Sequence, residues 1–262
     1  MRFVRFTAVL GGLLLSSLAG SAAAQVDTTE QLLACMRSNI PPTVRIQEVE
    51  IVSVDRAGGE RRMAGRLYGQ REDDKVRVML RIEAPQDLSG ASYLIREGDN
   101  RDDMYLYLPA INRVRRITGG SGDGQLFGTD LSYNDVKQIQ NAFSATQVRP
   151  EGNRSIGGRE AVAISFSPAP EQESRYERIT TVIDKLSCVA LETEFSEGGE
   201  VRKRIKVAPE MLRQAGDFWY AEEAVVNSLE DGTHTRLKVT GVESGEPVSG
   251  RYFNPRSFYI GG

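Results

Sequence analysis

The stretch KVRVMLRIE, residues 75–83, decides the fold. Val76, Val78, Leu80 and Ile82 recur at every second position, and Arg77, Arg81 and Glu83 fall between them. A period of two belongs to a β-strand with one apolar face and one polar face. The pattern continues in both directions. Upstream, Asp73-Asp74 supplies a turn back into Arg61–Gly69, and Gly58-Gly59 a turn into Thr43–Val54. In that first strand the apolar phase shifts from Val44 and Ile46 to Val49 and Ile51, which predicts a bulge near Gln47-Glu48. Downstream, Ser92–Glu97 and Met104–Leu108 flank an Asp/Asn/Arg turn, with Met104, Leu106 and Leu108 on one face. The result is a meander of hairpins with a dry face and a wet face.

Further strands are expected at Asn112–Ile117, Ser144–Arg154, Glu160–Phe166, Arg178–Asp184, Val189–Phe195 and Glu200–Val207. Phe218–Leu229 and Thr233–Val242 read as a last hairpin around Asp231-Gly232. Short helices are expected after a cap at Asp27 or Thr28, from Tyr133 to Gln140 behind a Ser132 cap, and from Pro209 to Leu212. Gly119–Gly124 reads as too flexible for regular structure. The aromatic tail Arg251–Ile260 predicts an edge strand or a docked end. About ten or eleven antiparallel strands with a few helices make one mainly β domain.

The N-terminus carries an export signal. Arg2 and Arg5 precede an apolar run from Phe6 to Gly20, and Ser21-Ala22-Ala23-Ala24 offers the small residues of a cleavage site. The run is short for a membrane span, and no Cys follows it to carry a lipid anchor. Cleavage after Ala24 leaves residues 25–262 as a single domain beginning at Gln25, in the periplasm of a Gram-negative-type envelope. The mild net charge of −3 argues against nucleic acid as a partner. Cys35 and Cys188 are the two cysteines, and an oxidising compartment favours their pairing over two buried free thiols.

Residues that could carry out chemistry do not converge. His234 is the single histidine and lies beside a hairpin turn, where solvation explains it. Nothing near it marks a nucleophile–base–acid arrangement. Asp73-Asp74 and Asp102-Asp103 lie at turns, where Asp accepts from local backbone, and lack calcium-loop spacing. Gly119–Gly124 lacks the G-K-[ST] ending of a phosphate loop. No catalytic residue, cofactor or metal site is expected. The basic clusters Arg113, Arg115, Arg116 and Arg202, Lys203, Arg204, Lys206 read as a solvated convex face. The sharper alternative is docking to an acidic partner or to anionic headgroups.

The segment from Asp102 to Val136, DDMYLYLPAINRVRRITGGSGDGQLFGTDLSYNDV, carries a family signature. A strand ends in Leu108-Pro109, an Arg-rich strand spans Arg113–Ile117, and Gly128-Thr129-Asp130-Leu131-Ser132-Tyr133 with Asp135 follows a flexible stretch. This resembles the outer-membrane lipoprotein-sorting protein family, relatives of the periplasmic carrier LolA. The sequence departs at Leu126-Phe127, where the aromatic falls one residue later than in the family pattern. Pro85–Glu97, Trp219, Asn227, Gly232-Thr233 and Phe253 extend the likeness over most of the chain.

The resemblance implies a half-open antiparallel β-barrel whose helical lid covers an apolar concave face that holds acyl chains. The candidate cavity residues are Val76, Val78, Leu80, Ile82, Met104, Leu106, Leu108, Leu126, Phe127 and Tyr133. Leu126 and Phe127 would plug the cavity, and Gly119–Thr129 would be mobile without cargo and ordered with it. The implied function is a monomeric carrier of a lipidated protein or lipid, working with an inner-membrane exporter of hydrophobic substrates. The alternative is an envelope sensor or adaptor that binds a membrane protein and carries no lipid.

Overall fold

The computed structural model describes residues 28–98, 102–142, 147–172, 174–246 and 250–260. The expected signal segment with its cleavage site, the expected Asp27 cap, the Asp/Asn/Arg turn at 99–101 and the expected strand start at Ser144 lie outside the described residues.

Helix α1 (Thr29–Ser38) begins at Thr28, whose hydroxyl accepts from the Gln31 backbone while the Gln31 side chain accepts from the Thr28 N–H. The strands follow as β1 (Val44–Val54), β2 (Glu60–Glu72), β3 (Lys75–Ala84), β4 (Ser92–Arg96), β5 (Asp103–Leu108) and β6 (Arg113–Ile117). After α2 (Tyr133–Asn141) come β7 (Val148–Ile156), β8 (Arg159–Phe166), β9 (Arg178–Asp184), β10 (Ala190–Glu197) and β11 (Glu200–Lys206). The chain ends with β12 (Leu212–Ala215), β13 (Phe218–Ala221), β14 (Glu223–Ser228) and β15 (Thr233–Glu246).

Thirteen strands form one antiparallel sheet in the order β6-β5-β4-β3-β2-β1-β15-β14-β11-β10-β9-β8-β7. The sheet curls without closing, so β6 and β7 are its edges. The fold is mainly β, a half-open barrel with a helix-bearing segment over its concave face, as the sequence implies. β12 and β13 form a separate hairpin. The turn of the β2–β3 hairpin places both Asp73 and Asp74 at positive φ, the geometry of a tight hairpin. A register shift between Glu48 and Val49 against β15 is the bulge that the apolar phase shift predicts.

The fifteen strands exceed the expected ten or eleven, in part because β12 lies outside the sequence expectation and one expected strand is divided. Phe218–Leu229 is not one strand. It breaks at Glu222, whose N–H donates to the Met211 carbonyl, and its halves join different sheets. Gly119–Gly124 is not irregular either, because Gly119–Asp123 closes as a 3-10 turn. Gly122 serves close approach, because a Cβ there would collide with the Asn134 carboxamide of α2.

In the first half of the sheet a patch of the convex face is dry as well as the concave face. On the convex side Met79 and Leu94, each 0 % exposed, pack with Val44, Tyr68, Phe253 and Phe258. The tail after β15 lies over them as a docked end, without pairing as a strand. Tyr252 stacks on Tyr68 at 4.8 Å and Tyr259 on Tyr107 at 4.2 Å between ring centroids. The expected wet face is thus covered where the tail crosses it.

Candidate functional site

Register fixes which side chains share the concave face. Leu80 pairs with Leu67 on one side and Tyr93 on the other, and Tyr93 pairs with Leu106. Val78 pairs with Ile95, which pairs with Met104. Leu108 is next on the same face of β5, two residues beyond Leu106. Across the sheet, Ile51 and Val49 of β1 face the same way, opposite Leu237 and Val239 of β15. These residues form a single apolar cluster, and Leu126, Phe127 and Tyr133 are part of it.

Nine of the ten candidate cavity residues therefore meet: Val78, Leu80, Ile82, Met104, Leu106, Leu108, Leu126, Phe127 and Tyr133. Val76 does not belong to this cluster. It is buried, but at the end of β3, where its N–H donates to Glu97 Oε2 and its carbonyl accepts from Gln140 Nε2. Alternation places Val76 on the right face, yet it cannot tell where along a strand the cluster stops.

The covering segment, residues 124–133, is a closed loop with its own bonds. Leu126 N–H donates to Leu131 O at 2.7 Å, Thr129 N–H to Leu126 O at 3.0 Å, and Tyr133 N–H to Gly124 O at 3.2 Å. The loop presents Phe127 at φ +52, a conformation that a bulky residue adopts only where its surroundings hold it. Gly128 follows at φ +77. Tyr93 Oη donates to the Tyr133 carbonyl at 3.4 Å, and the two rings lie 5.3 Å apart. Burial, then the neighbouring Tyr133, pushes the Tyr93 phenol well above its ordinary pKa. Both tyrosines are therefore neutral at physiological pH.

Two carboxylates join this segment to the sheet. Asp130 accepts from the hydroxyls of Thr233 and Thr235 on β15, and its own N–H donates to Thr235 Oγ1 at 2.9 Å. Asp135 caps α2 by accepting from the Ser132 N–H at 2.6 Å, while Ser132 Oγ accepts from the Asp135 N–H at 3.0 Å. The same Asp135 carboxylate takes an ion pair from Lys203 of β11. Tyr176 lies beside it, and burial followed by that negative charge drives the Tyr176 phenol upward. The Thr-Asp-Leu-Ser-Tyr-x-Asp pattern is therefore a pair of attachment points separated by a capped helix start. Sequence reasoning used the motif for the resemblance and did not single out Asp130, Asp135 or Lys203 as working residues.

The basic clusters separate on inspection. Arg113 and Arg115 pair with Leu108 and Leu106, so they lie on the concave side of the edge strand β6, not on a convex face. Both are exposed. Burial raises the pKa of the Tyr133 phenol, and the positive charge of Arg115 works against that rise. Arg204 and Lys206 pair with Glu194 and Glu192 of the neighbouring β10, and Arg202 pairs with Glu200 of its own strand and Glu197 of β10, which accounts for them without a partner molecule. Lys203 points inward to Asp135. His234 is exposed on β15, and among the described residues no group of three or more His, Cys, Asp or Glu could hold a metal.

Cys35 and Cys188 are bonded, with Cα atoms 5.8 Å apart. Cys188 lies in the turn before β10 at φ +55, so strand alternation does not dictate its direction. The bond ties α1 to the inner face, where Leu32 and Met36 pack on Ile164 and Ile183. Asp184 organises the turn. It accepts from Arg159 Nε and Nη2, each at 2.7 Å, and from both the N–H and the hydroxyl of Ser187 at 2.7 Å. A disulfide fits a chain that folds in an oxidising compartment.

Known structures share this architecture. A protein domain from Vibrio parahaemolyticus, named for outer-membrane lipoprotein sorting, superposes with a TM-score of 0.77 at 19% identity, covering 88% of this chain and 97% of that one. A member of a family of unknown function from Desulfovibrio piger gives 0.78 at 19% identity, with coverage of 88% and 97%. A LolA superfamily protein from Nitrosomonas europaea gives 0.65 at 13% identity, with coverage of 87% and 97%. No curated protein matches the sequence. The fold is that of the lipoprotein-sorting and LolA superfamily proteins. The chain belongs to the family whose model, described as "Uncharacterized protein", matches residues 74–259.

Proposed function

We propose that the protein is a periplasmic carrier that holds the acyl chains of a lipidated protein or lipid against its concave face and moves them between envelope membranes. The observation that carries this reading is the way the apolar face is covered. Leu126, Phe127 and Tyr133 lie over it on a segment whose attachments to the sheet are largely polar. An apolar face of that extent needs a cover in water, and a cover held through Asp130 and Asp135 can exchange places with a ligand. Acyl chains suit the space because each buried CH₂ contributes about 0.8 kcal/mol without directional demands.

The ten candidate residues, with Val76 at the margin, are the proposed lining. Arg113 and Arg115 at the concave lip suit an anionic headgroup near the mouth. An inner-membrane exporter of hydrophobic substrates is the proposed donor, and the protein acts as a monomer without catalysis. The signal segment at 1–24 and the disulfide support action outside the cytoplasm. Solvent extraction of protein purified from the periplasm, followed by mass spectrometry, tests the reading. Acyl-bearing molecules in near-stoichiometric amount are expected. Protein that carries none, and that binds no fluorescent acyl probe, overturns it.

A further inference from the structure

Exposed apolar side chains and arginines without carboxylate partners meet at one corner of the barrel. Among the described residues the large apolar side chains open to solvent are Ile111, Leu186, Leu229 and Ile260. Two of them share the β5–β6 turn. Ile111 lies in that turn beside Asn112, whose backbone is left-handed at φ +45. Asn112 Oδ1 accepts from Tyr107 Oη at 3.0 Å, and the Tyr107 ring stacks on Tyr259 of the docked tail. Ile260 is the next residue, so the tail brings it to the corner that Ile111 occupies. The arginines stand on the strand that leaves this turn. Residues 109–122 contain Arg113, Arg115 and Arg116 and no Asp or Glu, in a chain of net charge −3. All three are exposed on β6, an edge of the sheet. Arg116 pairs with Asp103, whereas among the described residues Arg113 and Arg115 have no carboxylate partner. The charge of Arg115 is felt at the Tyr133 phenol, so the corner adjoins the covering segment.

We propose that the β5–β6 corner docks on an anionic lipid bilayer, with Ile111 and Ile260 entering the interface and Arg113 and Arg115 on lipid phosphates. The proposal goes beyond the carrier reading and can fail without it. Charge on β6 has a simpler use, since charged side chains keep an open edge strand from pairing with another chain. That use does not account for two isoleucines in water at the same corner. Exposed apolar residues scattered singly need no explanation, but two of them beside two unpaired arginines have the composition of a bilayer-interface contact. Apolar tips bury at the headgroup–acyl boundary, and guanidinium groups meet phosphate there with matching geometry. An acidic protein is a poorer fit, because two small tips offer little continuous apolar area for the centre of a protein interface. Position agrees with a bilayer. The apolar cluster reaches Ile117 on β6 itself, so a molecule leaving the concave face past this edge emerges where the corner docks.

The test is co-sedimentation of delipidated mature protein with vesicles of phosphatidylcholine alone and of phosphatidylcholine mixed with phosphatidylglycerol. The wild type is expected to bind the anionic vesicles about 25-fold more tightly, about fivefold for each unpaired arginine, and the preference should fade as salt rises. Arg113→Gln combined with Arg115→Gln should abolish the preference. Ile111→Ser and Ile260→Ser should each weaken binding to the anionic vesicles about fivefold, the worth of a partly buried isoleucine. Leu186→Ser, equally exposed but in the β9–β10 turn at the opposite end of the strands, should change nothing. Both isoleucine variants should bind a neutral fluorescent acyl probe as the wild type does. Equal binding of the wild type to the two kinds of vesicle overturns the dock. An effect of the arginine pair with none from either isoleucine also overturns it and leaves the corner to an acidic partner. A wild type that binds the probe but no vesicle overturns the dock and leaves the carrier reading standing. One that binds anionic vesicles through these residues but no probe upholds the dock and overturns the carrier reading.

Discussion

Lys203 on β11 reaches across the barrel interior to the Asp135 carboxylate at the start of α2. The Asp135 side chain is 0 % exposed and that of Lys203 is 13 % exposed, so the pair is largely shielded from water. Removing one partner of such a pair strands the other charge, at a cost of about 3–5 kcal/mol. Lys203→Met should therefore release the lid. Hydrogen exchange across residues 124–141 should accelerate strongly, while exchange in β3 and β4 changes little. Adding Asp135→Asn should restore much of the protection, because no charge is then left unpaired.

Asp184 gives the fold a defined acid response. Burial pushes its pKa up, but the hydrogen bonds from Arg159 and Ser187 outweigh that, and the net shift is downward. A carboxylate whose folded pKa lies below its unfolded pKa contributes stability that is fully present above the unfolded value, about pH 4. That stability is lost as pH falls from there through the folded value. Asp184→Asn should cost about 1–3 kcal/mol at pH 7 in urea unfolding. The gap between mutant and wild type should shrink as pH falls below about 4. A gap independent of pH would show that the ionised carboxylate is not what holds the Cys188 turn.

The tail holds the convex face dry through Phe258, which is fully buried. Phe258→Ala should destabilise the protein by about 3–5 kcal/mol, the usual range for a buried Phe. Ile260, two residues on and 52% exposed, is the matched control, and Ile260→Ala should stay within about 0.5 kcal/mol of wild type. Equal, small effects at both positions would mean that the tail is a loose end.

The strands, the bulge at Glu48/Val49, the helix caps at Thr28 and Ser132 and the Cys35–Cys188 bond are legible in the sequence, because each follows from local chemistry or from compartment. What alternation does not report is the partner layer. Met79 sits between Arg77 and Arg81 on the polar phase of β3, and its burial depends on Phe253 and Phe258, far along the chain in the C-terminal tail. The one local sign was Met79 itself, an apolar residue in a polar phase. The candidate site divides in the same way. Leu80, Met104 and Leu106 follow from period two, and Leu126 and Phe127 from their place in the motif. The buried polar groups of α2 leave no mark in hydrophobic periodicity, since Asn, Gln and Lys read as surface wherever they stand. Arg113 and Arg115 read as convex because their phase could be assigned only once β6 was paired with β5.

Leu80→Asp tests the central claim most directly. Leu80 is 7% exposed, in the centre of the concave cluster under Leu126 and Phe127. If that cluster is a cargo site closed by a removable lid, the carboxylate can be hydrated when the lid lifts. The cost to folding is then limited to that of opening, about 2 kcal/mol or less by comparison with the several kcal/mol of a carboxylate in solid core. The account predicts a mutant that stays folded by circular dichroism and loses binding of a fluorescent fatty-acyl probe. Arg81→Asp, on the opposite face where Arg81 donates to the Tyr259 carbonyl of the tail, should leave probe binding unchanged. A Leu80→Asp protein that is unfolded, or one that is folded and binds the probe normally, would contradict the account.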